Sequence, residues 1–325
     1  MKTIEKTLRA IVPTAAKQFA KNHVLTPYKL KRERLSADQV LLQHKPVSYT
    51  LEQNIELGNV PNFLMATGTG LYAKRGSQFE QILTGWFFGV TASDSGYYLY
   101  QNLEHSGRIL HINLNRTKPH VDVFLDKTPR NIHQISYFDS KLFVADTSNN
   151  QICVYDNQGL LETAIRPRGI LSSGRSSSNY AHLNSIYPYE DKIYVVAHNY
   201  TQHSKRLSEL IILDRKSYKE LETIAGIGSC AHNTIIHKAH RYTCDSLPGK
   251  ITRSDGLETE LGNFTRGLVI SPSKLLCGGS IYGRRAERIG KDCYVYVLDH
   301  ELNLEGSIRF EGIGPCFDLQ PFNQA

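Results

Sequence analysis

The sequence predicts an all-β fold, a six-bladed propeller, and three observations carry that prediction. The first is a repeat. The segments Asn131-Ile132-His133-Gln134-Ile135-Ser136, Ala181-His182-Leu183-Asn184-Ser185-Ile186 and Ala231-His232-Asn233-Thr234-Ile235-Ile236 read alike. Each runs on to a second short strand: Lys141-Leu142-Phe143-Val144-Ala145-Asp146, Lys192-Ile193-Tyr194-Val195-Val196-Ala197 and Arg241-Tyr242-Thr243-Cys244-Asp245. The second observation is the spacing, because units of several short strands recurring roughly every 40 to 50 residues are the mark of propeller blades. The third is an arithmetic remainder. The grammar leaves three strands over at one end of the chain and one at the other, which together make a blade.

In chain order, the basic segment to about Leu35 and the polar region through Gly58 form an extension, 1–58, ahead of a propeller in 59–325. Met1 to Lys21 carries Ile4, Leu8, Ile11, Val12 and Phe19 at helical spacing between charged residues, so a short N-terminal helix is expected. Phe63 to Ala66, Gly70 to Lys74 and Phe79 to Leu83 are three short runs separated by glycine-rich turns. The first full blade runs from Trp86 to about Leu125 and the second from Ile132 to Ile165. The third occupies about His182 to Ile224, the fourth His232 to Leu261 and the fifth Phe264 to Phe310. Gly314 to Leu319 is the single strand that remains, and it completes the first three into a sixth blade that leaves no open edge. Five or seven blades stay open, since the first blade matches the repeat weakly. The link from Arg166 to Tyr180, with Gly174-Arg175-Ser176-Ser177-Ser178-Asn179, is long for a connection between blades and reads as a lid or a disordered tip.

Composition narrows the class. Eighteen Tyr and 12 Phe against 2 Met suit the pleated, half-buried surfaces of sheets. The six cysteines show no CxxC and no paired spacing, and they read as reduced core thiols of a cytoplasmic protein. The N-terminal stripe lacks a continuous apolar region, so no secretory signal is expected. No stretch approaches the length of apolar chain that spans a bilayer. The helix could still pack on the fold, contact a partner or lie on a membrane surface. A net charge of +7 fits an anionic small substrate as readily as nucleic acid, and no basic run is interleaved with stacking aromatics, so nucleic acid is an unlikely partner.

The first strand of every blade lines the central channel, so polar residues at that point should converge. Matching Phe143, Tyr194 and Tyr242 puts His133, Asn184 and His232 at one level, with Arg266 joining them in the fifth blade. A one-residue slip would exchange Asn184 for Leu183, or His232 for Asn233. His182 shares the face of Asn184, and Asp146, Asp245 and Asp318 are further candidates for the channel. Three neutral imidazoles, His133, His182 and His232, suit a divalent metal such as Zn, Fe or Mn; Asn184, Asn233 and the aspartates suit Ca or Mg. Hydrogen bonding between blades is the competing role for all of these residues. His198, His203, His237 and His240 read as loop or surface histidines. Gly278 to Arg285 reads as a blade turn or an anion-binding loop. No Gly-x-Ser-x-Gly elbow, phosphate loop or His-Glu-x-x-His is present, and Gly68-Thr69-Gly70 lacks the third glycine of a dinucleotide fingerprint.

The unit His232-Asn233-Thr234-Ile235-Ile236, followed by Tyr242 to Lys250, resembles repeats in six-bladed propellers of the NHL, strictosidine synthase and SMP-30/gluconolactonase type. Phe264-Thr265-Arg266-Gly267-Leu268, with Gly279-Ser280 and Arg285, is similar to a poorly characterised bacterial propeller family with His-Leu-Asn and Arg-Gly-Leu at inner strands. The likeness covers roughly Asn131 to Asp299. The gluconolactonase resemblance implies an axial divalent ion, with Asn184 or Asn233 matching asparagine ligands and Asp245 an aspartate. Glu311-Gly312 ahead of Pro315 only loosely matches that group's Glu-Gly-Pro, and the histidines have no counterpart there, which moves the expectation from calcium and lactone hydrolysis toward a histidine-rich site. The expected function is a metal-dependent lyase or hydrolase acting on a small anionic or polyhydroxylated molecule. In it the metal sits on His133, His182 and His232, Arg266 anchors the anion, and Asp245 or Asp146 relays a proton. The alternative is a non-catalytic propeller that binds ligands or proteins.

Overall fold

The inner strands of six antiparallel sheets touch one another in a closed cycle, so the fold is a six-bladed propeller. The computed structural model describes residues 45–53, 55–114, 120–167, 181–283 and 287–322. The expected N-terminal helix and the long link around Gly174 lie outside the described residues.

Two short strands come first, β1 (Lys45–Pro46) and β2 (Tyr49–Glu52), followed by β3 (Phe63–Thr67), β4 (Gly70–Arg75) and β5 (Gln78–Thr84). Blade one is β6 (Phe87–Ser93), β7 (Gly96–Asn102), β8 (Gly107–Asn113) and β9 (His120–Thr128). Blade two is β10 (Ile135–Phe138), β11 (Lys141–Asp146), β12 (Gln151–Tyr155) and β13 (Leu161–Ile165). Blade three is β14 (Leu183–Tyr189), β15 (Lys192–Ala197), β16 (Glu209–Asp214) and β17 (Glu220–Ala225), with one helical turn, α1 (Thr201–Ser204), between its second and third strands. Blade four is β18 (His232–His237), β19 (His240–Asp245), β20 (Lys250–Arg253) and β21 (Glu258–Glu260). Blade five is β22 (Phe264–Ile270), β23 (Leu275–Ser280), β24 (Cys293–Leu298) and β25 (Leu304–Phe310). The last strand, β26 (Cys316–Pro321), pairs with β3 and forms the inner strand of blade six, outside which lie β3, β4 and β5.

This closure is the one the strand remainder predicts. Three early strands and one late strand share a sheet, so opening the ring would break the Cys316 to Pro321 ladder and strand its backbone groups. The region expected to be an irregular extension contributes as well: β1 pairs with β5, and β2 pairs with β25, each as a fifth, outermost strand. The chain start thus covers the edges of two adjacent blades.

Within a blade the first two strands are tied by tight turns. Asp139 and Ser140, and Lys238 and Ala239, all take positive φ, the geometry of a two-residue turn whose twist matches the strands it joins. Between blades, apolar side chains fill the wedge. Ile235, Tyr242 and Ile251 of blade four pack with Leu268, Leu275 and Cys277 of blade five, and Phe143, Val154, Ile186 and Val195 join blades two and three. Among the described residues no helix is long and apolar enough to cross a membrane.

Five of the six inner strands are interrupted at the same point. The ladder slips by one residue across Phe88, Asn184, Asn233, Gly267 and Phe317, and so forms a β-bulge in five of the six blades. In blade two the backbone carbonyl of Gln134, just ahead of β10, bonds to the Ala145 amide at the matching place. The bulge decides the true equivalence. His232 and Arg266 immediately precede it, and so does Leu183, whereas Asn184 matches Asn233. The expected level of His133, Asn184 and His232 is therefore corrected by one residue in blade three.

Candidate functional site

At the mouth where the inner strands begin lies a cavity of about 230 Å3. His133, His182, His198, Arg266 and Arg288 line it, together with the rings of Trp86, Phe88, Tyr200, Phe264, Tyr282 and Phe317. No aspartate or glutamate is among the described residues of its wall.

The histidines form one ring cluster. His133 lies 4.7 Å from His182 and 6.0 Å from His232 between ring centroids, and His198 lies 4.6 Å from His182 and 5.2 Å from His232. His182 enters the cluster from a left-handed residue, φ 51°, and Asn150 holds that turn by accepting the backbone amides of Ala181 and His182 through its Oδ1. His198 follows β15, and its amide donates to the His182 carbonyl. Two further left-handed residues, Asn199 and Tyr200, then swing the chain into α1, placing the Tyr200 ring parallel to His182 at 5.5 Å.

Hydrogen bonding assigns two of the tautomers. The Tyr200 amide donates to Nδ1 of His198 at 3.0 Å, so a neutral His198 carries its proton on Nε2 and is a donor there. His232 is the reverse. Its Nδ1 lies 2.8 Å from the Cys230 carbonyl, which only accepts, so Nδ1 carries the proton and Nε2 keeps its lone pair. Among the described residues Nε2 of His232 has no hydrogen-bond partner. Both rings are neutral near pH 7. Burial, aided by the Arg266 charge, pushes His198 down to about 3 and His232 well below its usual value.

Arg266 sits between two rings, with its guanidinium carbon 5.3 Å from the centre of Phe264 and 5.4 Å from that of Phe317. Phe317 in turn stacks on Phe88 at 4.1 Å, and Phe264 stacks on Tyr282 at 5.1 Å. Arg288 lies over the outer face of Tyr282, 5.0 Å from its centre. Gln202 of α1 donates to the Tyr282 hydroxyl and bridges blades three and five over the mouth.

The sequence-predicted residues divide into three groups. His133, His182 and Arg266 line the cavity, and His232 packs directly behind it against His133, His198 and Phe264. Asn233 is the bulge residue of its strand: its Nδ2 donates to Asp318 at 3.0 Å and its Oδ1 accepts the Gly267 amide at 2.8 Å. Asn184 reaches the next blade, where its Nδ2 donates to the Ala231 carbonyl at 3.0 Å. Asp146 and Asp245 do not reach the cavity. Asp146 accepts from Asn149 and Gln151 in its own turn, and Asp245 accepts the Ser229 amide at 2.6 Å. His198, read from the sequence as a loop or surface histidine, lies in the connection after β15 but is buried there, and the aromatic wall escaped sequence reasoning altogether. The apolar run Trp86-Phe87-Phe88 and Phe317 within the closing strand were the available signals.

Beyond the bulge the channel opens into a second cavity of about 310 Å3, lined in part by Gln134, Asn233 and Asp318. Asp318 is fully buried and accepts from Val90, Leu319 and Asn233; desolvation raises its carboxyl to about 7. This belt of bonds ties blades one, four, five and six around the axis.

These donors match the needs of a divalent metal only in part. His232 has a ligand's orientation, with Nδ1 held by a carbonyl and Nε2 open. His198 does not, because a ring bound through Nε2 would carry its proton on Nδ1 and oppose the Tyr200 amide. Among the described residues no three His, Cys, Asp or Glu side chains form a group that could hold a metal ion. The two guanidinium groups further oppose a dication.

No known family profile matches the chain, and no curated protein matches it either. Solved structures match it in fold. A chain of a nidogen/laminin complex aligns with a TM-score of 0.62 at 10% identity, covering 82% of this chain and all of that one. A Lactobacillus plantarum protein aligns at 0.55 and 10% identity, covering 81% and 99%. A Bacteroides fragilis protein described as a candidate 6-phosphogluconolactonase aligns at 0.52 and 11% identity, covering 83% and 100%. At these identities the similarity is one of fold, and it agrees with the closed six-bladed ring.

Proposed function

We propose that the histidine-lined mouth is a binding site for a small organic anion, and that the chain acts on it as a lyase or hydrolase without a resident metal. One observation carries this reading: a small cavity walled by two arginines and three imidazoles, of which His198 is held neutral by burial, with no carboxylate among its described residues. Arg266 and Arg288 supply charge, and a guanidinium grips a carboxylate through two parallel hydrogen bonds. His198, neutral and donating through Nε2, is an electrophile that polarises a bound oxygen while remaining uncharged. Asp146 and Asp245 have no part in this scheme. The candidate lactonase among the fold neighbours is consistent with hydrolytic chemistry on such a ring.

The test is the melting temperature of the protein in acetate, benzoate, citrate and phosphate at matched ionic strength, for wild type and for Arg266→Gln and Arg288→Gln. Saturable stabilisation by at least one anion, lost in Arg266→Gln, is expected. Equal response of all three proteins would remove the anion reading. A second reading, a divalent ion on His133, His182 and His232, is favoured by the open Nε2 of His232. Elemental mass spectrometry of untagged protein decides it, since about one equivalent of Zn, Fe, Mn or Ca, absent from folded His232→Gln, would put the metal first.

A further inference from the structure

Resting on the anion reading, we infer that the occupant is a planar, single-ring aromatic carboxylate, with its carboxylate on Arg266, its ring among the aromatic side chains and an oxygen acceptor toward His198. Shape, wall chemistry and hydrogen-bond polarity each contribute to this choice.

A volume of about 230 Å3 lies below the usual range of roughly 300–1,000 Å3 for pockets that take drug-sized ligands, so the occupant has one ring rather than two or three. The wall is made of flat groups. Phe88 and Phe317 form one stacked pair, interplanar angle 18°, Phe264 and Tyr282 a second at 23°, and Tyr200 and His182 a third at 11°. Gly68, Gln202, Cys230, Ile289 and Pro315 are the exceptions among the described lining. Such a wall presents ring faces and edges, which pair with another ring beyond simple area burial. A saturated polyol would leave its hydroxyls against these faces and lose their hydration without return. That argues against the polyhydroxylated substrate the sequence allows.

Polarity sharpens the class. Arg266 and Arg288 only donate, and His198 offers a donor because Nδ1 is committed to the Tyr200 amide. A ligand whose chemistry matches these donors is a carboxylate bearing a second oxygen acceptor, such as a hydroxyl or carbonyl, on its ring. Arg266 is already flanked by Phe264 and Phe317, so an aromatic ring entering beside it continues the same cation and ring alternation.

Isothermal titration calorimetry of the untagged full chain tests this with 4-hydroxybenzoate, benzoate, cyclohexanecarboxylate, acetate, gluconate and benzamide. Benzoate is expected to bind at least about tenfold more tightly than cyclohexanecarboxylate, acetate or gluconate, as one or two ring contacts imply. The acceptor on 4-hydroxybenzoate should improve affinity further, and His198→Leu, checked for its melting transition, should bring the ratio of 4-hydroxybenzoate to benzoate affinity down to about one, whatever it does to both. Phe317→Leu, checked for its melting transition, should narrow the ratio of benzoate to cyclohexanecarboxylate; Tyr282→Leu, at the exposed rim, is the second variant if Phe317→Leu does not fold. Cyclohexanecarboxylate or gluconate binding as tightly as benzoate would overturn the aromatic class while leaving the anion site standing. Benzamide matching benzoate, or no carboxylate binding at all, would overturn both.

Discussion

Replacing His198 by glutamine should change how the protein responds to acid. Glutamine can accept the Tyr200 amide through its carbonyl and present an amide N–H to the cavity, so the two bonding roles survive while the titration disappears. In the folded protein His198 is pushed to about 3 by burial and by the Arg266 charge, against 6.5 in the unfolded chain. A base whose folded pKa is depressed contributes stability that is fully present above the unfolded pKa and is lost as pH falls toward the folded one, because the unfolded state takes up the proton first. Each pH unit of that window is worth about 1.4 kcal/mol, so His198 alone removes about 2.7 kcal/mol between pH 6.5 and 4.5. His232 loses stability over a window of the same sign, and raised-pKa Asp318 gains it on acidification, so the wild-type curve is a composite. The informative quantity is therefore the difference between the two proteins. Urea unfolding at steps from pH 7 to 4.5 should give free energies that converge by about 2.7 kcal/mol or, if glutamine is the more stable at neutral pH, diverge by the same amount in its favour. Parallel curves, with a constant offset at every pH, would refute the assignment of His198 as a buried neutral imidazole.

Other perturbations have simpler readouts. Gly267→Ala should cost about 2–4 kcal/mol in urea unfolding, since φ is +75° and a Cβ would stand 2.7 Å from the Leu319 amide nitrogen. Asn233→Ala should cost about 2–4 kcal/mol, because it strands the Gly267 amide and withdraws a donor from Asp318. Asp318→Asn should make the protein relatively more stable than wild type as pH rises from 4 toward 7: an acid raised to about 7 binds its proton more tightly folded, so wild-type stability from this group falls across that window. Thiol titration of the native protein should find the cysteines unreactive, since all six are free and buried and burial holds Cys153 at about 11; unfolding should release six.

The ring was legible because it rests on local grammar. The strand lengths around Phe143, Tyr194 and Tyr242 repeat, and the remainder of three strands and one strand admits a single closure. The outermost strands β1 and β2 were not legible, since Lys45-Pro46 is too short to show alternation and its pairing partner lies across the sheet on β5. The long-range wall of the site was hidden for the same reason. Phe88 and Phe317 are more than two hundred residues apart in sequence and meet only because the last strand closes the first blade's neighbour.

The bulge decides which polar residues of an inner strand reach which cavity. Period-two counting assumes an uninterrupted ladder, and on that assumption His232 and Asn233 face opposite ways. An extra residue at Asn233 breaks the alternation, so His232 joins the histidine cluster at the mouth while its neighbour turns toward Asp318. In blades two and four one residue separates two chemistries: the imidazoles of His133 and His232 belong to the cluster at the mouth, and the amides of Gln134 and Asn233 line the cavity beneath, where Asp318 also lies. The sequence expectation put a metal on His133, His182 and His232 and a proton relay on Asp245 or Asp146, and both aspartates are hydrogen-bonded outside the mouth cavity. The mouth carries two arginines and, among its described residues, no carboxylate, and that is the electrostatic basis of the anion reading proposed above.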